Sequence, residues 1–134
     1  MSRPDPGAGL AAVLEQAALA VHHASFEYAD KSCAPDLSSA RADSWRLIHL
    51  LGALSDLSTA LAAYTGDCPQ RNELHSDDHV EPARHLAHAC RGWTDLRHAL
   101  DDAQHACREA YTALSHLNAG SLPGTGPVPA RPGK

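Results

Sequence analysis

The sequence predicts an all-α fold: an up-down-up antiparallel three-helix bundle with a long third helix, completed by self-association. Three observations lead there. In 134 residues, 25 Ala and 17 Leu stand against four Val and one Ile, so the aliphatics that favour strands are nearly missing. Apolar residues recur in three-four alternation over three long segments, the period of a helix with one buried stripe. The segments are joined by short connections, which make antiparallel neighbours of successive helices.

The first helix is expected over residues 8–30, after a flexible N-terminus of residues 1–7. Leu10, Leu14, Ala17, Val21, Ala24 and Tyr28 form its stripe, and Asp30 to Pro35 end it. The second is expected over 36–65, with Asp36 as N-cap after Pro35. Its stripe is Leu47, Leu50, Leu54, Leu57, Leu61 and Tyr64, with Ile48 and Leu51 on its shoulder. Gly66 reads as its C-cap and Pro69 as the start of a turn-rich loop. The third helix is expected over 79–118, opened by an Asp78/Glu81 capping box and Pro82, and closed by Gly120. Leu86, Ala89, Trp93, Leu96, Leu100, Ala103, Cys107, Ala110, Leu114 and Leu117 carry its stripe without a phase slip at Gly92. Residues 8–120 thus read as one helical domain, and the Pro- and Gly-rich residues 121–134 as a disordered tail.

Length sets the third helix apart. At 1.5 Å per residue, some 38 residues reach roughly 57 Å, against about 33 Å for the first helix. The surplus turns carry Tyr111, Leu114 and Leu117, an apolar overhang that calls for a second copy or a protein partner.

Chemistry-bearing groups are plentiful but form no established motif. Of ten His, those on the third helix alternate with acids: His88, Asp95, His98, Asp102, His105, Glu109 and His116 form a stripe opposite the Trp93 face, the pattern of a solvated side. His75, His79, His85 and His88 are the densest cluster, and zinc or another divalent cation is the one cofactor they would suit. Four Cys occur without a Cys-x-x-Cys pair; an up-down-up order would place Cys33 level with Cys107 and Cys68 level with Cys90, as two disulfides, or leave four thiols in a reducing compartment. No Gly-rich phosphate loop, and no Ser, His and Asp set on a strained turn, points to catalysis.

Charge and compartment follow from composition. The formal charge is −5 with six aromatic residues, and the Arg are interleaved with acids, which disfavours nucleic acid as partner. No secretory leader is read at the N-terminus, and the most apolar window, Leu47 to Ala63, falls short of a membrane span and contains His49 and Asp56. The expectation is a cytoplasmic, non-catalytic helical protein that acts by docking, most simply as a homodimer, without contacting membrane. The alternative is a helical bundle that binds a metal or small ligand through its histidine clusters.

Overall fold

A computed structural model describes residues 6–71 and 73–117. They form three helices in chain order, α1 (Pro6–Ala29), α2 (Leu37–Arg71) and α3 (Pro82–Ser115), with no strand among the described residues. The chain divides into two compact units after Ser39. One holds α1, and the other holds α3 with nearly all of α2.

In α1, Pro6 occupies the first helical position, where its missing N–H costs nothing and its fixed φ suits the helix. The helix therefore opens two residues before the expected start. On the expected stripe Ala17 and Ala24 are half-buried, and Leu10, Leu14, Val21 and Tyr28 are 41–51% exposed. Off the stripe, Val13, Leu19 and Phe26 reach 63–73%. Asp30 ends the helix, because its carboxylate accepts from the Ser32 backbone N–H at 3.0 Å and the Ser32 hydroxyl at 2.7 Å. These bonds hold the Asp30 carboxyl below its ordinary pKa.

Asp36 caps α2 as its sequence position suggests, accepting from the Ser39 N–H at 2.8 Å, a bond that also lowers the Asp36 pKa. The other end departs from expectation. Neither Gly66 nor Pro69 stops α2, which runs on to Arg71. A glycine inside a helix costs only about 1 kcal/mol relative to alanine. Pro69 sits so near the end that it disrupts only the last turn, and the Arg71 guanidinium lies 5.5 Å from the centre of the Tyr64 ring, two turns back.

The start of α3 is also corrected. No Asp78/Glu81 capping box forms: Asp78 accepts from the Val80 N–H at 3.1 Å and contacts His85 Nε2 at 2.9 Å, and Glu81, at the N-cap position, makes no side-chain cap bond. His79 has φ 63°, which breaks the helical path, so the helix opens at Pro82 instead of residue 79. The His85 contact, followed by the Val80 bond, lowers the Asp78 pKa. At the far end the His116 N–H donates to the Ala113 carbonyl at 3.2 Å and the Leu117 N–H to the Leu114 carbonyl at 3.1 Å, tightening the last turn. The expected stop at Gly120 and the tail of residues 121–134 lie outside the described residues, as do residues 1–5.

Helices α2 and α3 pack together. Cys107 Sγ lies 3.7 Å from the Ser44 carbonyl, Gln104 Nε2 donates to the Ile48 carbonyl at 3.1 Å, Ser55 Oγ donates to Asp101 at 2.7 Å, and Cys90 Sγ lies 3.7 Å from the Ala62 carbonyl. Partners thus descend α3 as they ascend α2. The Trp45 and Tyr111 rings meet at 5.4 Å. With 35 and 34 residues the two helices are matched in length. The extension of α2 past Gly66 gives α3 a partner along its length, while α1, at 24 residues, stays the shorter helix, as the sequence suggested.

His79 supplies a test of this account. A non-glycine residue in the left-handed region costs on the order of 1–2 kcal/mol. His79→Gly is expected to raise stability to urea by about 0.5–1 kcal/mol once glycine's greater chain entropy is subtracted. His79→Val is expected to lower it.

Candidate interaction surface

The inner face of α2 is built from small and polar residues. Among the described residues the buried ones are Ile48, Ser55 and Ser58, and Ser58 is only 2% exposed. Burying hydroxyls is tolerable here because each has a partner. Ser58 Oγ donates to the Leu54 carbonyl at 2.9 Å, Ser44 Oγ to Ala40 at 2.7 Å and Thr65 Oγ1 to Leu61 at 2.7 Å, all four residues back on the same helix. A serine bonded in this way presents a compact, satisfied surface.

Small residues let α3 come close. An added Cβ on Gly52 would lie 2.7 Å from Gln104 Nε2, so the space that this glycine leaves open is where the Gln104 amide passes to reach the Ile48 carbonyl. One turn further along, Ser55 holds Asp101. Cys90 and Cys107 lie on the same seam of α3, each half-buried and directed at an α2 carbonyl.

The expected leucine stripe of α2 points elsewhere. At 100° per residue, Leu47, Leu50, Leu54, Leu57, Leu61 and Tyr64 centre roughly 130° round the helix from the face that Ser44, Ile48, Gly52, Ser55 and Ala62 turn to α3. Leu50, Leu54, Leu57 and Leu61 are half-buried, whereas Leu47 and Tyr64 are 44% and 52% exposed. On α3 the expected stripe is closer to the mark, for Leu86, Ala89, Trp93, Leu100, Cys107 and Leu114 are all half-buried. The packed face is nevertheless rotated toward Cys90, Gln104 and Tyr111, leaving Leu96, Ala103, Ala110 and Leu117 exposed.

The structure distributes the remaining candidate residues as follows. Tyr111 packs on Trp45 and Leu114 is half-buried, so only Leu117 of the expected overhang is largely open, at 52% exposure. All seven members of the His and acid stripe on α3 are exposed, and His105 Nε2 lies 3.4 Å from Glu109. His75, His79, His85 and His88 are exposed but not gathered: His85 is engaged with Asp78, and among the described residues no three His, Cys, Asp or Glu side chains converge as metal ligands. All four Cys are free thiols, so neither Cys33 with Cys107 nor Cys68 with Cys90 is bridged.

An open polar groove lies where the two helices meet, beside Gly52, with His49, Asp56, Asp101 and Gln104 on its walls. Its serine, Ser55, donates its hydrogen bond to Asp101 and not to a histidine, so this pair is not arranged as in a Ser-His-Asp set. Sequence reasoning missed Gly52, Ser55, Asp101 and Gln104 because it tracked apolar residues. The signal that could have found the α2 members is a second three-four series, of small residues, through Ser44, Gly52, Ser55 and Ala62.

α2 is also long and apolar enough to cross a membrane by length and composition, and it is the one such helix among the described residues. This differs from the short window of Leu47 to Ala63 weighed in the sequence.

The Gly52–Gln104 contact generates a double-mutant test. Gln104→Ala is expected to cost about 1 kcal/mol, the net worth of an ordinary hydrogen bond. Gly52→Ala alone is expected to be near neutral, since the gain in helix propensity is offset by displacement of the Gln104 amide. In the Gln104→Ala background the same substitution is expected to stabilise by about 1 kcal/mol, measured by urea unfolding.

No protein-family model, no curated protein and no solved structure matches this chain.

Proposed function

We propose that this chain is a non-catalytic helical module that acts by docking, with a second copy of itself as the partner, and that the apolar stripe of α2 is the docking surface. The observation that carries the reading is that Ile48 is the one buried hydrophobic among the described residues, while Leu50, Leu54, Leu57 and Leu61 of the α2 stripe are only half-buried and Leu47 and Tyr64 are exposed. One fully buried aliphatic side chain contributes about 1.5–3 kcal/mol, too little to serve as the core of helices this long. The antiparallel α2–α3 pair therefore offers half of a core. A second copy supplies the other half and closes a larger bundle.

A protein partner is favoured over lipid by α3. Arg91, Asp95, Arg97, Asp101 and Asp102 lie on the helix packed along α2, and a bilayer that took in α2 would have to take in these charges with it. The chain's histidine clusters are read as solvated surface, since the imidazoles do not converge.

Light scattering on the eluting protein tests the reading. The wild-type chain is expected to elute at about twice 14.2 kDa and to dissociate on dilution. Leu57→Glu, which places a charge in the middle of the stripe, is expected to shift it to the single-chain mass. A wild-type chain that keeps the single-chain mass up to millimolar concentration would contradict the proposal.

A further inference from the structure

The groove between α2 and α3 is lined by hydrogen-bond acceptors. His49, Gly52, Ala53 and Asp56 bound it on α2 and Asp101 and Gln104 on α3, around a volume of about 440 Å³, the size of a small-ligand site. Two of the acceptors are fixed by bonds across the helix pair. Gln104 commits its Nε2 to the Ile48 carbonyl, and its Oε1 is left without a hydrogen bond among the described residues. Asp101 takes the Ser55 hydroxyl on Oδ1, while its Oδ2 has Arg97 Nε at 3.9 Å, an exposed pair of the weak kind. Asp56 is exposed and makes no hydrogen bond or ion pair among the described residues. His49 is exposed too, its ring edge-on to Trp45 at 4.8 Å.

We propose that this groove binds a short linear diamine, with one ammonium at Asp101 and Gln104, the other at Asp56, and the alkyl chain over Gly52 and Ala53. Two carboxylates, an amide oxygen and an imidazole ask for an occupant that brings donors and positive charge, and a primary ammonium brings three N–H groups and a full charge. A single metal ion would not serve. His49, Asp56 and Asp101 line the same groove, yet among the described residues no three such side chains lie close enough together to hold one ion. Carboxylates set apart in this way suit a ligand whose charges are also set apart. Between them Gly52 and Ala53 present no side chain larger than a methyl group, which leaves an apolar bed for methylenes.

The site is independent of the proposed self-association. At 100° per residue, His49, Ala53 and Asp56 centre roughly 110° round α2 from the leucine stripe. It also differs from surface acids that merely share a neighbourhood. The Gln104 amide and the Asp101 carboxylate are ordered by α2 before any ligand arrives, which lowers the entropic cost of binding.

Titration of the full-length chain with putrescine tests the site, by calorimetry and amide NMR, at about 0.15 M salt, where diffuse attraction is screened. Saturable binding is expected with a Kd on the order of 0.1–1 mM, and the shifts are expected to centre on Gly52, Ala53 and the Gln104 side-chain amide. Asp56→Asn, at an exposed residue without a partner, is expected to weaken binding about tenfold at unchanged helix content. Arg97→Gln removes the cation that competes for Asp101 and is expected to tighten binding about threefold. n-Butylamine, which presents one ammonium as a lysine side chain does, is expected to bind about tenfold more weakly than putrescine. Equal binding of the two amines would overturn the two-ended site. The same shifts with magnesium chloride would overturn it in favour of ordinary counter-ion attraction. Absence of saturable putrescine binding, or an Asp56→Asn chain that binds as wild type does, would overturn it outright.

Discussion

The packing of α2 on α3 depends on a close approach that only small residues permit. Gly52 leaves room for the Gln104 amide, which crosses to the Ile48 carbonyl, and one turn on Ser55 donates to Asp101. Leucine at these positions would hold the helix axes further apart and put both hydrogen bonds out of reach. The interface is therefore polar and short-range, stabilised by directional bonds more than by apolar area. Its serines accept burial because their hydroxyls are already bonded to carbonyls of their own helix.

That choice of face decides the rest. Once α2 commits its small residues to α3, its leucines are left on another side of the same cylinder, and the sequence has gone to the trouble of spacing them in heptads. Leu50, Leu54, Leu57 and Leu61 are half-buried there, and Leu47 and Tyr64 at the ends of the stripe are exposed. On the proposed reading a second copy completes this cover, and the stripe of His88, Asp95, His98, Asp102, His105, Glu109 and His116 lies on the exposed side of α3.

The fold class and the number of helices were legible from composition and period. Asp36 as a cap and Pro82 at a first helical turn were legible too, because each acts through local chemistry. The orientation of α2 was not. Reading apolar residues as inward assigns Leu50, Leu54 and Leu57 to the α3 contact, whereas Ser44 and Ser55 take it, and a sequence does not display a hydroxyl's bond to the carbonyl four residues back. Gly66 and Pro69 read as stops because propensity favours stopping there, yet the helix tolerates both within its last turns. The left-handed His79 was equally hidden, since the Asp78–Val80 turn that sets it depends on a side-chain bond. The residues of the proposed docking surface were all visible in the sequence as a stripe; what they face was not.

The central claim is that the leucine face of α2 is covered by another chain. Isotope-filtered methyl NMR on an equal mixture of labelled and unlabelled protein reads this directly. The account predicts intermolecular NOEs among the methyls of Leu50, Leu54, Leu57 and Leu61. NOEs from these methyls that are wholly intramolecular, to Leu14 or Val21 of α1, would contradict it.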